Sequence, residues 1–228
     1  MNEIIPNLLV QDEKKFESWL RTAEQFAQTI QIDILDNSFV PFGSWADPEV
    51  VETWSTPVDY QLHLMVDDVE RHLNAWTTVR NVKAAIFHIE PFLSPQHDST
   101  TARQHDAKVA DVHDLLGTIA FYGWEPGLAI NPETPLEVLE PFVKKISIAQ
   151  FMSVAPGQSG QSFQKSVIDK IKTFRAQYPQ ITISVDGGVN AKTIPALAAA
   201  GAEQFQVTSA IYKADDPKEA YANLLKLL

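Results

Sequence analysis

The sequence predicts a closed (β/α)8 barrel of the TIM-barrel class, with residues 1–228 forming a single domain. Apolar, strand-like runs recur eight times along the chain and mostly alternate with stretches long enough for a helix. Repeated βα units of this kind imply a parallel sheet. Eight of them in a chain of this length favour a closed barrel over an open, doubly wound sheet. In addition, the run at 181–185 ends in Asp186, Gly187, Gly188, Val189 and Asn190. That turn places an acid at the carboxyl end of a strand, where a barrel keeps its chemistry.

The strands are read at 3–10, 30–35, 60–66, 84–89, 127–130, 146–151, 181–185 and 204–207. Their short runs, rich in Ile, Leu, Val and Phe, suit strands covered on both faces. Helical stretches follow at 12–28, 66–76, 106–121, 164–177 and 191–200. Thr134-Pro135 ahead of Leu136, Glu137, Val138 and Leu139 marks a short helix, because proline suits a first turn. Asn190 is placed to cap the helix at 191–200, and 220–228 fits a barrel-closing helix. Residues 91–108 depart from this economy and read as a long polar loop, suited to a lid. His97-Asp98 and His105-Asp106 within it are set aside as metal ligands, since their spacing matches no metal geometry. Trp45, Trp54 and Trp76 read as packing residues rather than a cofactor stack.

Composition removes several classes of function. Without cysteine there is no disulfide framework, thiolate metal site or cysteine nucleophile. A formal charge of -11 argues against nucleic-acid and anionic-lipid partners, so an anionic substrate must be drawn in by local groups. No apolar run reaches membrane-spanning length, and the first residues lack the basic and apolar segments of a leader; the expected compartment is the cytoplasm.

Gln31 and Asp33 alternate along the second strand and therefore share a side, which in a barrel is the interior. His63 lies on the third strand, His88 on the fourth, and Glu90 at its mouth. A lone strand histidine is most often a hydrogen-bonded core residue. Together, however, Asp33, His63 and Asp186 offer two carboxylates and an imidazole to a divalent ion. Gly157, Ser159 and Gly160 follow the sixth strand, Gly187 and Gly188 the seventh, and Thr208 and Ser209 the eighth. These small residues fall in one quadrant of the barrel and suit a phosphate nest.

Taken in order, Pro6-Asn7-Leu8-Leu9 with Asp12, the run from Ile32-Asp33 through Val40-Pro41, and His63-Leu64-Met65-Val66 resemble the motifs of the ribulose-phosphate 3-epimerases. His88-Ile89-Glu90, Asn131-Pro132-Glu133-Thr134-Pro135, Pro156-Gly157-Gln158-Ser159-Gly160-Gln161 and Asp186-Gly187-Gly188-Val189-Asn190 continue the resemblance, which covers nearly the whole chain. It implies a ribulose-phosphate-binding barrel that interconverts D-ribulose 5-phosphate and D-xylulose 5-phosphate through a cis-enediolate, as in the pentose phosphate pathway. By the same resemblance Asp33 and Asp186 are the acid/base pair and, with His63, the metal ligands. It also implies that Asn7, His63, Met65 and Met152 contact the sugar. One divalent ion per subunit (zinc, manganese, iron or cobalt) and a homo-oligomer are also implied.

The chain departs from that pattern at five positions. Gln31 stands for a metal-binding histidine, Asn7 for serine, Gln61 for aspartate, Asn37 for glycine and Thr208 for glycine. Glutamine is a neutral ligand and a poor mimic of imidazole toward zinc, which makes Gln31 a weak candidate. Asn37 tolerates the left-handed backbone a glycine would adopt. Two alternatives stay open: a 3-epimerase of a hexulose 6-phosphate, and a non-catalytic phosphosugar-binding protein with a degraded metal site. Aldol cleavage or decarboxylation is a further option, but the second strand supplies no lysine for Asp-x-Lys-x-x-Asp enolate chemistry.

Overall fold

A computed structural model describes residues 2–93, 102–154 and 163–228. Eight parallel strands close on themselves in sequence order. They are β1 (Glu3–Leu8), β2 (Thr29–Leu35), β3 (Asp59–Met65), β4 (Val82–His88), β5 (Glu125–Ile130), β6 (Ile148–Met152), β7 (Thr182–Asp186) and β8 (Gln204–Val207). The helices are α1 (Glu13–Ala23), α2 (Pro48–Val51), α3 (Val69–Ala75), α4 (Glu90–Leu93), α5 (Ala102–Phe121), α6 (Ser166–Gln177), α7 (Ile194–Ala200), α8 (Ser209–Tyr212) and α9 (Pro217–Leu225). Short 3-10 segments occupy Trp76–Thr78 and Leu136–Phe142. Among the described residues no helix is long and apolar enough to cross a membrane.

Each strand serves two layers because its side chains alternate. Ile30, Ile32 and Ile34 of β2, like Leu62 and Leu64 of β3, join the large apolar layer beneath the helices. The opposite set lines the barrel interior. Its floor is a small apolar cluster of Ala84, Ile86, Ala129 and Ile148. Gly127 belongs there because a Cβ would stand 2.7 Å from Ile86 Cγ1. One step up β6, β7 and β8 the lining turns polar: Gln206 Nε2 donates to Ser184 Oγ at 2.7 Å, and that hydroxyl donates to Gln150 Oε1 at 3.0 Å. Above this lie the groups at the strand ends.

The boundaries show where local chemistry overrides periodicity. Asp12 accepts from Lys15 N at 2.9 Å and starts α1, which stops at Ala23 rather than running to 28. Asp68 caps α3 through Arg71 N at 3.1 Å, so that helix opens at 69 instead of 66. Asn190 does not cap the helix after β7. Its Oδ1 accepts from Lys192 N at 2.9 Å and its own N donates to Thr193 Oγ1 at 3.0 Å, which ties 190–193 into a turn before α7. The long loop expected at 91–108 is also corrected. Residues 90–93 are helical, and α5 begins at Ala102, since no glycine or proline interrupts its first turns. The lid expected there, with His97 and Asp98, falls on 94–101, outside the described residues; His105 and Asp106 fall within α5.

The tryptophans pack as expected. Trp76 is fully buried, and Phe16 meets Trp45 and Trp54 at ring-centroid distances of 5.0 and 5.9 Å.

Candidate active site

Register brings the interior polar groups together. Asp33 on β2 lies beside His63 on β3, and Met152 on β6 lies beside Asp186 on β7. His63 Nδ1 stands 3.0 Å from Asp33 Oδ1 and 3.2 Å from Asp186 Oδ2. Among the described residues, one ligand atom from each of the three lies within 4.8 Å of the others. Two carboxylates and an imidazole so close together fit the donor preferences of a divalent ion.

Gln31 enters this cluster with its amide nitrogen, not its oxygen. Nε2 donates to Asp33 Oδ1 at 3.0 Å and to Asp186 Oδ2 at 2.8 Å. Its Oε1 turns away and accepts from Gln61 Nε2 at 3.2 Å. The NH2 end is the one that can donate to both acids at once, since an amide oxygen has no hydrogen to offer. Asn7 Nδ2 donates to the other oxygen of Asp33 at 2.9 Å, while its Oδ1 is buried without a partner among the described residues.

Behind His63 runs a line of further groups. Its Nε2 stands 3.0 Å from His88 Nε2, and His88 Nδ1 stands 3.0 Å from Glu90 Oε2. Glu90 Oε1 accepts from Asn131 N at 2.7 Å and Thr134 Oγ1 at 2.6 Å. Lys170 from α6 braces that turn by donating to the carbonyls of Asn131, Pro132 and Thr134.

These contacts set the charges. Burial, then the charge of Asp186, holds Asp33 above the usual carboxylate range, against the hydrogen bonds from His63 and Asn7. Burial alone would lower His63, but its bonds to Asp186 and Asp33 and their charges outweigh it and raise the ring to about 9. His88 goes the other way: burial lowers it in spite of Glu90. Burial would raise Glu90, yet the bonds from His88, Thr134 and Asn131 leave it below its ordinary value.

The turn after β7 has the backbone expected of its glycines, with φ of 100° at Gly187 and 60° at Gly188. A Cβ at Gly187 would collide with Val154, so the residue is fixed by space as well as by conformation. Thr208 and Ser209 sit at the end of the adjacent β8, where they open α8. Gly157, Ser159 and Gly160 lie outside the described residues. Met65 is buried with Leu35 and Val40, and Met152 is buried at the top of β6.

Residues 3–212 match the sequence model of the Ribulose-phosphate 3 epimerase family. The chain belongs to that family. It is 29% identical to the ribulose-phosphate 3-epimerase of Schizosaccharomyces pombe, over 97% of this chain and 92% of the relative. The Escherichia coli enzyme of the same name is 30% identical over 95% and 91%, and the Bacillus subtilis enzyme 28% over 98% of each. In overall shape the chain matches orotidine 5'-monophosphate decarboxylase from Sulfolobus solfataricus with a TM-score of 0.60. That likeness, at 12% identity over 100% of this chain and 97% of the other, concerns the fold. By its membership the chain is a ribulose-phosphate 3-epimerase-like isomerase.

Within that family frame, Asp33, His63, Asp186 and Gln31 converge as the sequence suggests, and Asn7 joins them through Asp33. The line from His63 through His88 to Glu90 and Thr134 goes beyond the sequence reading, which set His88 and Glu90 at the barrel mouth without a fixed role. The spacing of His88 and Glu90 hinted at it, but nothing local shows which ring nitrogen meets which partner.

Proposed function

We propose that the chain is a metal-dependent 3-epimerase of a phosphorylated ketose, with D-ribulose 5-phosphate and D-xylulose 5-phosphate as the interconverted pair. The observation that carries the proposal is the pairing of Asp33 and Asp186. They come from separate strands, share the Gln31 amide and His63 ring, and crowd closely enough for Asp186 to favour a proton on Asp33. Such a pair suits inversion at carbon: with Asp33 protonated, Asp186 takes the C3 proton from one face and Asp33 returns one to the other. Asn7 holds the Asp33 carboxyl in place through its amide. The Gly187-Gly188 turn and Ser209 would receive the phosphate, while Met65 and Met152 give the sugar an apolar wall from which water is excluded. A divalent ion held by Asp33, His63 and Asp186 would supply positive charge against the charge developing on the substrate oxygens.

The test pairs elemental analysis of the purified protein with NMR detection of solvent deuterium entering C3 of ribulose 5-phosphate. Stoichiometric metal with exchange is expected. Asp33→Asn and Asp186→Asn should each lower turnover by about 10²–10⁴-fold, the usual worth of a positioned acid or base. Exchange that survives either substitution would refute the pair.

One observation favours a second reading. Gln31 gives both carboxylates a hydrogen-bond partner within the chain, as a phosphosugar-binding protein without turnover would require. That reading expects ribulose 5-phosphate to raise the melting temperature while neither metal nor exchange is detected.

A further inference from the structure

We propose that Glu90 and His88 are positioning residues that hold hydrogen on Nε2 of His63, so that Nδ1 is the nitrogen that can shed its hydrogen to a metal ion. The inference rests on the metal-site reading above, but its central readout does not need metal.

The order of hydrogens follows from one end of the line. Glu90 Oε1 is taken by two donors, Asn131 N at 2.7 Å and Thr134 Oγ1 at 2.6 Å. Its remaining oxygen faces His88 Nδ1 at 3.0 Å, and a carboxylate has no hydrogen to contribute. The hydrogen in that contact therefore sits on His88 Nδ1. His88 faces one carboxylate, which two other donors already satisfy, whereas His63 faces two; the hydrogen shared between the rings therefore stays on His63 and His88 Nε2 is bare. That bare nitrogen lies 3.0 Å from His63 Nε2, and two nitrogens at this distance share one hydrogen, which must belong to His63. His63 then holds hydrogen on Nε2, and its Nδ1, turned toward Asp33 and Asp186 at 3.0 and 3.2 Å, is the nitrogen that can release its hydrogen to an ion.

Packing keeps the line from rearranging. His88 stacks on His63 with centroids 5.2 Å apart and planes inclined by 25°, and Phe39 lies 4.9 Å from the His88 ring. Lys170 holds the turn that supplies Asn131 and Thr134. Outer partners of this kind orient ligating histidines, and their loss typically costs 10–100-fold in metal affinity.

The decisive substitution is Glu90→Gln, which preserves shape and reverses the order. Asn131 N–H and Thr134 O–H both need an acceptor, so the amide oxygen must take their side. The NH2 then faces His88 Nδ1, which must give up its hydrogen to Nε2. His63 must accept at its own Nε2, so its Nδ1 holds the ring's one hydrogen and cannot give it up to an ion while the ring stays neutral.

Long-range proton–nitrogen NMR of the histidine rings, recorded on metal-free protein, should show His88 as the Nδ1–H form in the wild type and as the Nε2–H form in Glu90→Gln. Calorimetric titration with Zn²⁺ should show affinity falling about 10–100-fold in the variant. Thr134→Val, which loosens the same turn without supplying a donor to His88, should retain the wild-type ring pattern. A wild-type His88 in the Nε2–H form overturns the proposal even if the variant fails to fold. So does a Glu90→Gln protein whose rings and Zn²⁺ affinity match the wild type. If Zn²⁺ does not bind the wild type at all, the metal-site reading fails, and the ring assignment is still decided by the spectra.

Discussion

At Gln31 a single amide stands where the sequence resemblance leads one to expect imidazole, and its two ends have different partners. The nitrogen bridges Asp33 and Asp186, and the oxygen is held by Gln61. For the oxygen to reach an ion, Gln31 must turn over, and Gln61 must turn with it to accept instead of donate. Both residues can do so because an amide carries donors and acceptors on one planar group. Gln31→His should therefore raise Zn²⁺ affinity by about tenfold or more, since imidazole is the better ligand for zinc. Unchanged affinity would mean that this position lies outside the coordination sphere. The same titration should depend on pH. His63 is raised to about 9, so below that value its Nδ1 carries a hydrogen that an ion must displace. Affinity should climb from pH 6 toward about 9 and level off above it, with proton release visible as a buffer-dependent heat. Alternation along β2 is enough to place Gln31 beside Asp33. Which end of the amide faces inward is not legible locally, because it is decided by Asp186 on β7 and Gln61 on β3.

At the scale of elements, strands were more legible than helix ends. A strand here is an apolar run buried on both faces, and that pattern is local. A helix start is decided by one cap, and Asp12, Asp68 and Asp216 each place an oxygen on a backbone N–H of the first turn. Asn190 has the right chemistry for the same role, yet Thr193 captures it in a turn first. The β7 turn is the reverse case, because its glycines predict their own backbone. Gly187→Ala should destabilise the protein by about 1–3 kcal/mol, from an unfavourable φ and the collision with Val154. Thermal or urea unfolding would measure it, and a neutral effect would mean that the turn can relax. Asn37 makes the complementary point. It adopts φ of 67°, so asparagine fills the left-handed position its sequence context demanded.

For the whole molecule, the fold was legible because eight βα units leave few other ways to arrange a parallel sheet. Net charge has a consequence that no single site shows. At -11 the chain repels a phosphorylated sugar at long range, so the attraction must come from groups inside the mouth. Raising ionic strength from about 0.01 to 0.1 M shortens the screening length from roughly 30 to 10 Å. In that interval kcat/KM should hold steady or rise. A steep fall would reveal a basic approach path that the overall charge conceals.

The bridge that Gln31 makes between two acids also bears on how such a protein matures. Because one amide donates to both Asp33 and Asp186, these acids have a partner within the chain itself, and the barrel would not have to wait for an ion in order to fold. Loading of the proposed ion would then be a late event, set by which ion is on hand rather than by the order of synthesis. Under the proposed function, turning over one amide is the step that would bring the Gln31 oxygen to that ion.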